Sequence, residues 1–195
     1  MKDSLFLVII FAAASGAAFG GSPRESQPAA QSEESDLYGL FLDKWTGGGA
    51  QVIHIARVAE APPAEATTEY AACLKGYKLA KLTSPMGPLP LSGTSFARRA
   101  NVRLVDPKKW QPRDPGPAIA SGKPTSKAVS DGFAAGLLTL SRVIFDEEHK
   151  VAIFTYGFVC GGLCGGLCGG GGGVMFDKTA TAWKQREMPC GGWVS

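Results

Sequence analysis

The sequence predicts an α+β domain, an antiparallel β-meander in the C-terminal half with one or two N-terminal helices packed on it. Three observations carry this. Residues 137–145 and 150–159 are apolar, partly β-branched runs on either side of the polar turn Asp146-Glu147-Glu148-His149, which reads as a hairpin. Residues 174–177 and 181–186 flank a second polar turn, and 192–194 add a short run that closes the sheet. Upstream, Leu37, Leu40, Phe41 and Trp45 recur at i, i+3, i+4 and i+8, which gathers them on one helical face.

The chain opens with Lys2, an apolar run over 5–14 and then small residues, the three-part pattern of a secretory signal peptide over 1–20. Ala18-Phe19-Gly20 places cleavage after Gly20, with Ala18 and Ala17 as alternatives. The run is shorter than the roughly 20 apolar residues that cross a bilayer, and no cysteine follows it to receive a lipid anchor. Export to a periplasm or to the cell exterior is expected. Residues 21–35, with Pro23, Pro28, serines and glutamates, have almost nothing to bury and read as a disordered tether. Residues 36–195 then suffice for one domain.

Within that domain the first helix covers 36–45, capped by Ser35 and ended by Gly47-Gly48-Gly49. Residues 51–58 form a short Val- and Ile-rich strand that contains His54. Pro62 and Pro63 break the chain, and 64–79 carries Tyr70, Leu74 and Tyr77 at helical spacing for a second helix. Residues 101–106 read as another strand, and the five prolines of 107–127 predict an irregular surface loop.

Formal net charge is only +3, yet between residues 71 and 130 eleven Lys and Arg face Asp106 and Asp114 alone. Such a stretch suits an anionic envelope polymer or a membrane surface. Aromatic interleaving is sparse, with Tyr77, Phe96 and Trp110 inside it, so nucleic acid is not an expected partner and the plain alternative is a solvated face.

The chemically distinctive stretch begins at Cys160, a tandem Cys-Gly-Gly-Leu followed by Cys168 and five glycines, with Cys190 in a further Cys-Gly-Gly. In an oxidising compartment Cys160, Cys164, Cys168 and Cys190 are disulfide candidates that would staple a glycine-rich loop. At about 3.3 Å per residue, an extended chain holds Cys160 and Cys164 about 13 Å apart, beyond the roughly 7 Å a bridge tolerates. The glycines must turn the chain if near neighbours pair. Loop entropy assigns about 2 kcal/mol to a Cys160–Cys164 bridge and about 3.5 to 4 kcal/mol to Cys160–Cys190, which favours the long bridge without assigning connectivity. Cys73, isolated on the second predicted helix, is expected as a buried thiol. The alternative is four thiolates, Cys160, Cys164, Cys168 and Cys190, on a zinc ion, or a nucleophilic cysteine.

Other chemistry is weakly signalled. The glycines run into Val174-Met175-Phe176 rather than into a helix, which excludes a phosphate loop or dinucleotide fingerprint. No Gly-x-Ser-x-Gly elbow or His-Glu-x-x-His helix occurs. His54 reads as a satisfied strand residue, His149 as a solvated turn residue, and Asp146 to Glu148 as an acidic turn. No catalytic residue is identified and no cofactor is expected apart from the zinc alternative.

In order, Leu140-Ser141-Arg142-Val143-Ile144-Phe145, the alanine-containing strand at 152–158, Cys160 to Gly165 as Cys-Gly-Gly-Leu-Cys-Gly, Trp183-Lys184 and Trp193-Val194-Ser195 make up the last part of the chain. That pattern resembles an uncharacterised family of exported bacterial proteins with no known activity. The resemblance covers about the last 60 residues and implies one coherent domain. This chain departs from it by doubling Cys-Gly-Gly-Leu, which implies Cys168 as the supernumerary thiol, and by its glycine run. The composite reading is an exported soluble domain, a non-enzymatic binding or envelope-associated module with a disulfide-stapled Cys/Gly-rich loop. The alternative is a thiol- or metal-dependent enzyme with its site between Cys160 and Cys190.

Overall fold

Among the described residues eight strands fill six positions of one mixed sheet, because two of those positions are each shared by a pair of successive strands. The computed structural model describes residues 27–45, 52–62, 73, 75, 87–96, 101–110, 113–161 and 167–194. In chain order they form α1 (Gln27–Trp45), β1 (Ile53–Ala56), β2 (Val58–Ala59), β3 (Leu89–Pro90), a 3-10 turn (Gly93–Phe96) and β4 (Val102–Val105). There follow α2 (Gly116–Ala120), α3 (Thr125–Ala134), β5 (Leu137–Leu140), β6 (Ile144–Phe145), β7 (Val151–Gly161), β8 (Leu167–Lys178), β9 (Trp183–Gln185) and β10 (Cys190–Val194). Across the sheet the order is β10-β8-β7-β5-β1-β4, with β6 sharing the β5 side of β7 and β9 the β10 side of β8. β2 and β3 pair separately.

The α+β class and the antiparallel C-terminal meander agree with the sequence reading. The upstream strands extend the sheet in parallel, β1 beside β5 and β4 beside β1. The long hairpin β7–β8 keeps one register from Val151↔Asp177 to Gly161↔Leu167. Because side chains alternate along a strand, Ala152, Phe154, Phe158 and Cys160 of β7 share one face with Val174 and Phe176 of β8. There they form the main core with Leu37, Tyr38, Phe41 and Leu42 of α1. The second face carries Val151, Ile153, Met175 and Cys190 with Ile144.

The first helix begins at Gln27, inside the stretch expected to be a disordered tether, so Ser35 is not its cap. Ser35 Oγ instead donates to the Gln31 carbonyl one turn back, 2.8 Å. What holds this polar extension is ionic rather than apolar. Glu34 is 2% exposed and accepts from Arg142 Nη2 at 2.6 Å and Nε at 2.9 Å. Residues 21–26 and most of the predicted second helix at 64–79 lie outside the described residues.

The run expected as one strand over 137–145 is broken at 141–143, and Ser141 shows why. Its amide donates to the Thr155 carbonyl at 2.9 Å, but the return bond from the Thr155 amide goes to Ser141 Oγ, 2.9 Å. The carbonyl of Ser141 is thereby free to turn away and accept from the Tyr38 hydroxyl, 2.8 Å. Arg142 swings toward Glu34 and Gly87, and the chain resumes pairing with β7 at Ile144.

The proline-rich segment is likewise more regular than a loop. Pro117 lies in the first turn of α2, where a missing amide hydrogen costs nothing, and Asp114 Oδ1 accepts from the Gly116 amide at 2.8 Å. Pro124 immediately precedes α3. The glycines 169–173 also stand in regular structure, within β8, paired to β7 on one side and to β10 on the other. A Cβ on Gly171 would come 2.5 Å from Trp193 Nε1 and 2.6 Å from the Tyr156 carbonyl. The bare strand therefore admits the Trp193 indole and the close approach of β10. Residues 162–166, which include Cys164, lie outside the described residues.

Candidate functional site

Among the described residues the cysteines form two bridges, Cys73–Cys190 with Cα atoms 5.8 Å apart and Cys160–Cys168 with Cα atoms 5.0 Å apart. This corrects three expectations. Cys73 is not a free thiol. Cys168 is not supernumerary, because it stands directly opposite Cys160 in the β7–β8 ladder. The long Cys160–Cys190 bridge is excluded by the pleat, since Cys160 belongs to the α1-covered face and Cys190 to the opposite one. With Cys160, Cys168 and Cys190 oxidised, three of the four thiolates of the zinc alternative are spoken for. Among the described residues no group of three or more His, Cys, Asp or Glu side chains converges as metal ligands.

A different constellation lies over β1 and β4. Ile53 and Ile55 point into the main core, so alternation turns His54 to the second face, beside Arg103 in the parallel register His54↔Arg103. The segment after β4 folds back over them. Asp106 organises it, its carbonyl accepting from the amides of Lys109 and Trp110, both 3.0 Å, and its Oδ1 from the Lys108 amide, 3.0 Å. The Trp110 ring then stacks on His54, centroids 4.1 Å apart and planes 30° from parallel, while its Nε1 donates to the Ala135 carbonyl at 3.0 Å. Arg113 is placed by two glycines. A Cβ on Gly161 would run into the Arg113 carbonyl, and one on Gly132 of α3 would lie 3.2 Å from it, so bare backbone lets this segment pass between the end of β7 and α3.

Together these elements enclose an open cleft of about 840 Å³, lined by His54, Arg103, Trp110, Arg113, Asp131 and Ala134 among others. Among the described residues the guanidinium groups of Arg103 and Arg113 have no hydrogen-bond or ion-pair partner. The one carboxylate on the wall is already neutralised. Asp131 pairs with Lys123 and, at 3.5 Å, with Lys127, and the Lys123 contact holds its carboxyl below the usual range. Burial lowers the His54 pKa against a backbone hydrogen bond with Ala134 that raises it, and the charges of Arg103 and Arg113 lower it further. Its Nδ1 is buried with no hydrogen-bond partner among the described residues. The arrangement is cationic, aromatic and concave, and it suits an anion with an apolar or ring-bearing body.

The sequence shows a basic middle that suits an anionic polymer or a solvated face, and the tertiary structure gathers Arg103 and Arg113 of that stretch round an aromatic wall. Lys78, Lys81, Arg98 and Arg99 lie outside the described residues, and Lys75 is exposed. His149 is in a turn, as expected, at φ 55°. It is not merely solvated, because its Nε2 lies 2.8 Å from Glu33 Oε2 and its ring stacks on Phe145 at 4.4 Å. Asp146 is a hairpin cap, its Oδ1 accepting from the amides of Lys150 and Val151 at 2.6 and 2.7 Å. A signal for α3 was present in the apolar residues Val129 and Phe133, four apart in a stretch free of proline. Among the described residues no helix is long and apolar enough to cross a membrane. No protein-family model, no curated protein and no solved structure matches the chain.

Proposed function

We propose that this protein is an exported, disulfide-stapled binding module that engages an anionic envelope polymer through the cleft of His54, Arg103, Trp110 and Arg113. The observation that carries the reading is the pair of guanidinium groups, unpartnered among the described residues, on the wall of an aromatic cleft. A charge-assisted hydrogen bond contributes about 1.5–3 kcal/mol, so two such donors supply an affinity that multivalent contact along a polymer multiplies. Concavity favours a polymer strand over a membrane plane, which would meet only the rim. Export rests on the signal-peptide pattern of residues 1–20, and the two bridges fit an oxidising compartment.

The test is calorimetric titration of the mature protein with polygalacturonate and with polyphosphate at low and raised salt, beside R103A and R113A. Binding that weakens with salt and falls about tenfold or more in each variant is expected. Absence of binding at low salt to either polymer, or affinities unchanged in both variants, overturns the reading.

A further inference from the structure

A second, smaller recess lies on the other face of the sheet, between the last turn of α1 and the strands β8 and β9. Its volume is about 270 Å³, and Lys44, Trp45, Tyr156, Gln185, Glu187 and Met188 are among the residues that line it. Drug-sized ligands occupy pockets of about 300–1,000 Å³, so this recess suits a single small ring. Its aromatic wall exists because of the glycine run. Tyr156 and Phe158 stand opposite Gly172 and Gly170 of β8, which bring no side chains to flank them. Trp45 packs against both, edge-on to Tyr156 at 5.0 Å and 5.6 Å from Phe158. Trp45 and Tyr156 nevertheless stay partly exposed at the recess.

Two polar side-chain groups of the lining residues make no hydrogen bond among the described residues. Gln185 Oε1 is buried with no hydrogen-bond partner among the described residues, and an unsatisfied buried polar atom is destabilising unless something else supplies the partner. The Tyr156 hydroxyl, at the same recess, also makes no hydrogen bond among the described residues. Charge is nearly balanced. Lys44 donates to the Gln185 carbonyl at 3.3 Å, Glu187 faces the same recess, and the Arg186 guanidinium is occupied by Asp177 at 2.6 and 2.8 Å. Among the described residues Lys44 is the one lining cation without an ion pair, against the two guanidinium groups of the cleft.

We infer that this recess is a binding site for one neutral sugar ring, separate from the anion cleft. A pyranose offers an apolar C–H face to the Trp45 and Tyr156 rings and a rim of hydroxyls. One hydroxyl donates to Gln185 Oε1 once the amide turns toward the recess, and another accepts from the Tyr156 hydroxyl. Aromatic side chains with a polar handle suit such a ligand, whose surface is half apolar and half hydrogen-bonding.

The probes are glucose and N-acetylglucosamine, titrated into the mature protein while the indole N–H resonance of Trp45, assigned by its loss in W45F, is followed by NMR. A saturable shift with either sugar in the millimolar range is expected. It should weaken about tenfold in Q185L, a variant whose thermal melt reports whether it is folded, and weaken in Y156F, while R103A leaves it unchanged. A Trp45 resonance that does not move up to tens of millimolar of both sugars overturns the inference. So does a shift that folded Q185L and Y156F both retain at full affinity. Neither result bears on the anionic polymer, because the probes are uncharged.

Discussion

The Tyr38 hydroxyl donates to the carbonyl of Ser141, 103 positions away, at 2.8 Å. That bond exists because the hydroxyl of Ser141 has taken over its carbonyl's place in the ladder with Thr155. Burial pushes the Tyr38 phenol far above its ordinary pKa, and the neighbouring Glu34 carboxylate adds to the shift, so Tyr38 acts only as a neutral donor. Around it, Glu34 accepts from Arg142 and from the Val143 amide at 3.3 Å. The break between β5 and β6 is thus a docking point for α1.

Removing one member of this buried pair leaves the other uncompensated. E34Q and R142A are each expected to lose about 3–5 kcal/mol in urea unfolding. The double replacement E34L/R142M, which leaves no orphaned charge, should be less destabilised than either single variant. A double variant as unstable as the sum of the two would show that the ion pair is not coupled.

The bridges differ in the loops they close, 117 residues for Cys73–Cys190 and 8 for Cys160–Cys168. Chain entropy assigns them about 4.9 and about 2.5 kcal/mol. C73A/C190A should therefore unfold at markedly lower denaturant than C160A/C168A. Two bridges hold four of the five cysteines, so alkylation of the unfolded, unreduced chain should add a single label by intact mass. Three labels would leave room for only one bridge, and five would exclude both.

Glu33 joins α1 to the hairpins, accepting from Trp183 Nε1 at 2.8 Å and Lys178 Nζ at 3.1 Å and facing His149 Nε2. Burial alone would raise its carboxyl, but the hydrogen bonds from His149, Trp183 and Lys178 outweigh it and the net pKa is lowered. A carboxyl depressed in the folded state contributes stability above its unfolded pKa and loses it as pH falls through the folded value. Melting temperature should therefore fall between pH 5 and 3, and E33Q should show a shallower fall over that window. Parallel curves for the two proteins would remove Glu33 from this role.

His54 is depressed chiefly by burial, with Arg103 and Arg113 adding to it. An anion seated between the arginines offsets their charge and raises the His54 pKa, so binding takes up protons. Affinity for polyphosphate should rise as pH falls from about 7.5 to 5.5, around the ordinary histidine pKa of about 6.5, and the rise should be absent in H54N. Equal pH profiles in the two proteins would exclude His54 from the cleft's electrostatics.

Much of the fold was legible because it is written in local pattern. The apolar, partly β-branched run of β7, the acidic turn at Asp146, the Leu37, Phe41 and Trp45 stripe and the short strand at 102–105 each declare themselves within a dozen residues. Helix α1 was extended past its apolar stripe by Glu33 and Glu34, whose partners at 142, 149, 178 and 183 no local window contains. The glycine run was read as loop because glycine has no β preference of its own. It is strand because β7 and β10 hydrogen-bond it from both sides and because Trp193 needs the room.

By itself the sequence determined the α+β class, the C-terminal hairpins and the oxidisable cysteine set, since these follow from hydrophobic period, turn chemistry and residue count. Only the tertiary structure decided which cysteines pair, because the pleat assigns Cys160 and Cys190 to opposite faces and brings Cys73 from outside the sheet to Cys190. It alone assembled the cleft as well. His54, Arg103, Trp110 and Arg113 come from two parallel strands and a returning segment, and their meeting depends on strand order, a property of pairing across distance that no stretch of sequence encodes locally.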